Sequence, residues 1–250
     1  MADTTDPPVA DPGADAQSLV RSALFSRWQD IPTSRLTVRQ VEKRRLADSM
    51  RIIMERLVRT DAPTEAIIQA ADELARVALG FDEERFGTEY EGFAEAANAG
   101  SDPSASFESS PFIGQANPLS PPLRLQELDG KVHARGVFGS AYEGPPGCVH
   151  GGYVAGAFDE LLGATQSLSG APGMTGTLTV RYRSPTPLHT ELRFVGELAR
   201  VEGRKIFTVG TLHAGDRLCA EAEGIFITLK PEMWGTLLDQ RDRAESDRLG

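Results

Sequence analysis

Residues 148–168 read CVHGGYVAGAFDELLGATQSL, and their periodicity decides the fold. Val154, Ala157, Phe158, Leu161 and Leu162 recur at three- and four-residue spacings, which places them on one face of a helix. On both sides of this helix the period becomes two. Candidate strands are 123–128 and 131–138 before it, then 174–184, 191–201, 204–213 and 216–229 after it, each alternating apolar with polar residues. Asp129-Gly130, Glu202-Gly203 and Gly215-Asp216 separate several of them, and such pairs signal hairpins. The expected order is two strands, one central helix, then four strands in an antiparallel meander. One apolar helix packed on such a sheet is an α+β layer.

Working outward, residues 36–59 and 64–79 read as two further helices. Leu46, Met50, Ile53, Met54 and Leu57 form the apolar stripe of the first; Ala66, Ile67, Ala70, Ala71, Leu74 and Val77 form that of the second. A short loop around Pro63 joins them and Gly80 is a plausible stop, so an antiparallel pair is expected, its stripes covering the surface of the β-rich domain. Residues 81–110 carry eight acids and one Arg85 and read as a solvated linker. Residues 111–122 are Pro-rich and extended. The chain divides into an irregular tail (1–35), a helical pair (36–80), an acidic and Pro-rich linker (81–122), the β-rich domain (123–230) and a C-terminal tail (231–250).

The whole chain has 250 residues, a net charge of −10 and 40 % apolar side chains, enough for a substantial core. No run approaches the ~18–20 apolar residues of a membrane span. The first residues, acidic and Pro-rich, lack the basic and apolar blocks of a signal peptide. Two cysteines, Cys148 and Cys219, make neither a disulfide framework nor a metal set, so a cytoplasmic home is expected. An acidic protein is a poor partner for nucleic acid or anionic lipid, which need a basic footprint.

The chemistry sits where the central helix begins. Gly151 and Gly152 leave backbone N–H groups sterically open. The first N–H groups of a helix lack intrahelical partners and carry the positive end of its dipole, which suits a developing oxyanion. Asp159 lies eight residues after Gly151, about two turns on, beside an apolar stripe where a carboxylate could act as general base. An oxyanion site with a nearby carboxylate is what hydrolysis of an activated acyl group requires.

These features carry a resemblance. His150-Gly151-Gly152, then Asp159 within the helix, then TGTLTVRYRSPTPL over 175–188, is similar to the PaaI-type hotdog-fold acyl-CoA thioesterases, over about residues 120–230. The resemblance implies a hotdog fold, a sheet wrapped around a central helix, here with an N-terminal helical extension. It implies that the Gly151 N–H polarises a thioester carbonyl. Asp159 would be general base or nucleophile, His150 would shape the site, and Thr175, supplied across a subunit interface, would hold the attacking water. Gly152 would line the substrate site. The substrate would be an acyl-CoA, with CoA as part of the substrate and no metal or other cofactor, and the assembly a homodimer or a dimer of dimers. Some relatives place an Asn six residues before the motif His. Here that position is Gly144, preceded by Glu143, so either Glu143 takes a related role or Gly151 alone supports the oxyanion.

Other residues admit plainer readings. Cys148 reads as a small buried thiol rather than a nucleophile. His133, His189 and His213 lack ligand spacing. Arg181 and Arg183 share one face of a strand and are either a solvated face or a site for CoA phosphates. Thr175 is explained equally by strand propensity, with Thr177 and Thr179 expected on its face. Two alternatives to hydrolysis stand: an acyl-CoA-binding hotdog protein without catalysis and, third, a hotdog acyl-CoA hydratase.

Overall fold

In a computed structural model, the structure describes residues 37–82, 108–121, 123–171 and 173–228. The elements are α1 (Val38–Leu57), α2 (Thr64–Asp82), β1 (Arg124–Leu128), β2 (Lys131–Val137), α3 (Gly151–Gln166), β3 (Gly173–Tyr182), β4 (Glu191–Glu202), β5 (Lys205–Ala214) and β6 (Arg217–Thr228). Single 3-10 turns occupy Ser140–Tyr142 and Ser167–Ser169. The tails proposed at 1–35 and 231–250, and most of the acidic linker, lie outside the described residues.

Six antiparallel strands form one sheet in the order β1-β2-β4-β5-β6-β3, and α3 lies against it. The apolar stripe of α3 is buried as expected: Val154, Ala157, Phe158, Leu161 and Leu162 meet inward-facing Phe194, Ile206, Leu212 and Phe226 in one core. Gly196 and Gly210 leave room for α3, since a Cβ at either would press on Leu161. This is the hotdog arrangement.

The meander differs from the expected one. Only β4, β5 and β6 follow one another; β3 pairs with β6 at the sheet edge. The reason is the segment between β3 and β4. With Pro185 and Pro187 in it, it makes no tight turn but crosses to the start of α3, where the Thr186 carbonyl accepts from the Val149 N–H at 2.8 Å.

The N-terminal helices also differ. α1 docks through polar side chains. Ala47 is its one buried residue, while Leu46, Met50, Ile53 and Leu57 stay exposed. Arg44 pairs with the buried Glu108. Arg51 donates to the carbonyls of Ser120 (3.0 Å), Gln115 (2.7 Å) and Asn117 (3.1 Å). Glu55 accepts from the Ser140 N–H at 2.6 Å. That bond caps the 3-10 turn. Desolvation pushes the Glu55 carboxyl up, but Ser140, through its side chain and its amide, the Ala141 amide and the nearby His189 outweigh it and hold the group below its usual range. The antiparallel pair is not formed: residues 64–81 are exposed along the whole of α2. Gly80 does not stop that helix, which runs on to Asp82.

Residues 108–121 form a strap packed on the domain. Ile113 enters the core, the Leu123 N–H donates to the Phe112 carbonyl at 2.9 Å, and the Tyr142 hydroxyl donates to the Leu119 carbonyl at 3.1 Å. The Phe112 ring lies so close over Gly156 of α3 that a Cβ there would collide with it.

Candidate active site at the start of the central helix

His150 is the N-cap of α3. Its Nδ1 accepts from the Gly152 N–H at 3.0 Å, and its carbonyl accepts from Tyr153 (3.0 Å) and Val154 (3.3 Å). Of the first four N–H groups of α3, three are thereby satisfied. The Gly151 N–H has no partner among the described residues. It is the one left to a ligand, at the positive end of the helix dipole. Tyr182 of β3 steadies this end: its hydroxyl donates to the Gly151 carbonyl at 2.8 Å. A Cβ at Gly151 would sit 3.2 Å from that hydroxyl, so the position leaves little room for any side chain.

Two turns along α3, Asp159 is exposed and accepts a hydrogen bond from the Thr175 hydroxyl, at 2.8 Å to Oδ1. A β-bulge places Thr175 there. Thr175 pairs with Phe226 and Thr177 with Ile225, so Gly176 is the extra residue and the alternation reverses across it. Thr175 therefore faces α3 while Thr177 and Thr179 face away, contrary to the expected shared face. Thr175 and Asp159 thus form one pair within a chain.

The remaining predicted residues are not brought to this site. Glu143 turns back into its own loop, where its carboxylate accepts from the Gly147 N–H at 2.6 Å. At Gly144 a Cβ would lie 2.7 Å from the His150 Cα. The loop packs too closely on the N-cap for an Asn at that position. Arg181 and Arg183 point away from α3, on the face opposite Tyr182. There they pair with Glu223 and Glu221 on β6. Cys148 and Cys219 are unpaired thiols, Cys219 buried.

Two participants escaped the sequence reading. Tyr182 was within reach of it, because period-two alternation sets it opposite Arg181 and Arg183. Glu160 was not. Its carboxyl lies beneath the strap, where Ser110 Oγ donates to it at 3.4 Å. Desolvation pushes it up to about 7, and the adjacent charge of Asp159 acts in the same direction.

Comparison with known proteins agrees with this geometry. The model of a family described as the thioesterase superfamily matches residues 146–221, from just before the N-cap into β6. A crystal structure of a thioesterase superfamily protein superposes with a TM-score of 0.66 at 33 % identity, covering 74 % of this chain and 94 % of that one. Acyl-coenzyme A thioesterase THEM4 of Xenopus laevis is 38 % identical over 95 residues, 37 % of this chain and 43 % of that protein. THEM4 of Mus musculus is 38 % identical over 107 residues, 42 % and 43 % respectively. The matches to these two curated relatives thus span less than half of their length.

Proposed function

The chain belongs to the thioesterase superfamily, and from that premise we propose that it hydrolyses an acyl-CoA thioester to the free acid and CoA. One observation carries the reading. Among the described residues the Gly151 N–H is the open one at the start of α3, and two turns on, about 12 Å along the axis, Thr175 holds a carboxylate in place; that span is too long for both to reach one carbonyl from the same chain, so the N–H of one copy works with the Asp159 of a second. The Gly151 N–H donates to the thioester carbonyl oxygen. Asp159 of the second copy takes a proton from water as the water oxygen attacks the carbonyl carbon. Negative charge gathers on the carbonyl oxygen, where the N–H and helix dipole stabilise it. The carbon–sulfur bond then breaks, and the CoA thiolate leaves and takes up the proton. In the second route that Asp159 attacks the carbon directly and expels the CoA thiolate, giving a mixed anhydride that water cleaves to the free acid and the carboxylate. Both routes use side chains, backbone and water, without a further cofactor. His150 holds Gly152 and keeps Gly151 open. Gly144 cannot supply a second donor, so Gly151 acts on the carbonyl alone.

The reading extends to assembly and setting. β3 is a ten-residue edge strand, one side of its backbone unpaired among the described residues, and it adjoins the site. Edge-to-edge pairing of two copies would cover it and give the homodimer that the resemblance implies; a dimer of dimers needs a second surface. No helix among the described residues is long and apolar enough to cross a membrane. The unpaired thiols favour a cytoplasmic setting. Thiol release from a panel of acyl-CoAs of rising chain length tests the activity. Turnover on at least one member is expected. Tight acyl-CoA binding with no turnover across the panel would replace hydrolysis with the binding-protein reading.

A further inference from the structure

One side chain closes the outer face of α3. That face, turned away from the sheet, starts at the open Gly151 N–H. It is bordered by β3 on one side and by the strap on the other. At Gly152 a Cβ would touch only the capping His150 ring, at 3.1 Å. At Gly156, one turn on, a Cβ would fall among the outer carbons of the Phe112 ring, Cζ and both Cε. Glycine at 156 thus lets an aromatic ring lie directly on the helix backbone. The ring is held from its own side as well. Ile113 beside it is anchored in the core. Tyr153 meets it edge-on at 6.4 Å and is itself packed on Tyr142 at 4.9 Å, the geometry aromatic rings prefer.

We propose that Phe112 is the stop of the acyl pocket and restricts the enzyme to short acyl groups; this rests on the proposed hydrolysis of acyl-CoA. A thioester held by its carbonyl at the Gly151 N–H sends sulfur and CoA out to solvent and its acyl chain the other way, along α3. The copy that brings its Asp159 to the carbonyl closes this path from above. Apolar side chains line it below. Phe112 and Tyr153 on the strap side, and Leu178 and Val180 on β3, pack on the core yet keep part of their surface open. From Gly151 to Gly156 is about 7.5 Å along the axis, room for roughly six chain carbons in a zigzag of bonds of about 1.5 Å. There the chain meets the ring. Past the ring the strap offers a polar pair instead, with Ser110 Oγ donating to the Glu160 carboxyl at 3.4 Å. A longer apolar tail would have to displace the ring and then cover that pair, which is costly for both.

The test is kcat/KM of the full chain on straight-chain substrates from acetyl- to palmitoyl-CoA. In the wild type it is expected to fall at least tenfold between hexanoyl- and decanoyl-CoA. Phe112→Ala is expected to remove that fall, raising the ratio of decanoyl to hexanoyl activity at least tenfold, with Phe112→Leu in between. The leucine variant keeps an apolar anchor on the strap, so the readout survives even if the alanine variant does not fold. An unchanged ratio in the variants, or an equal loss on every chain, overturns the proposal, because the ring would then only fasten the strap. A wild type most active on palmitoyl-CoA overturns it as well. Failure of hydrolysis itself is read separately. Calorimetric titration of the same panel into Asp159→Asn, with and without Phe112→Leu, reports chain length through affinity alone. A cut-off that moves with Phe112 where no chain is turned over supports the stop and refutes hydrolysis. A cut-off that does not move refutes the stop.

Discussion

α1 and α3 have similar apolar periodicity and opposite fates. In α3 the stripe faces the sheet, and Val154, Ala157, Phe158, Leu161 and Leu162 are buried. In α1 the stripe faces outward, and the helix is held by two arginines and a glutamate that reach backbone and carboxylate partners. A stripe therefore reports that a helix has an apolar face. It does not report which neighbour covers that face. The neighbour is fixed by what lies on the other side: around α3 a sheet with glycines to admit it, and beside α1 a strap whose carbonyls accept from Arg51.

That contrast can be broken most forcefully in the core. Phe194→Ala, which removes a ring packed edge-to-face on Phe158 at 5.6 Å, is expected to cost about 3–5 kcal/mol in chemical denaturation. A loss under about 1 kcal/mol would show that α3 does not seat as described. Next is the contact between strap and α3. A Glu160 carboxyl at about 7 when folded, against 4.5 ordinarily, favours the folded state fully below pH 4.5. That contribution falls as pH rises through about 7, by about 3 kcal/mol in all. Glu160→Gln is expected to flatten this fall, read as melting temperature between pH 5 and pH 8; equal slopes in wild type and variant would contradict the burial. Arg51→Met keeps the aliphatic stem but removes the bonds to the strap carbonyls. It is expected to cost about 2 kcal/mol and to open residues 108–121 to protease; an unchanged cleavage rate would mean that α1 is not fastened there. At the small end, Arg181→Ala and Arg183→Ala break exposed ion pairs. Each is expected to leave the melting temperature essentially unchanged, as exposed ion pairs contribute little, and to leave the KM for acyl-CoA within about twofold. A tenfold rise in KM would return them to the substrate site.

Most of the β-rich domain was legible, because tight turns and period-two alternation are local signals. The position of β3 was not: the proline-containing link from 183 to 190 gives no sign of which strand it crosses. At the site, the Gly151 N–H and Asp159 could be read from spacing along one helix. Thr175 could be read only through the resemblance, since its orientation depends on a bulge at Gly176 that simple alternation denies. Glu143 looked available for the carbonyl because sequence adjacency does not show that Gly147 claims its carboxylate. Glu160 was hidden because its burial comes from a strap about fifty residues away.

In the proposed reaction Asp159 carries the chemistry. Steady-state thiol release by Asp159→Asn, on the best acyl-CoA of the panel, tests it most directly, because the substitution keeps shape and removes basicity. The account predicts a kcat lower by about 10²–10⁴-fold with substrate affinity within a few-fold of wild type. A variant that turns over at the wild-type rate would contradict it.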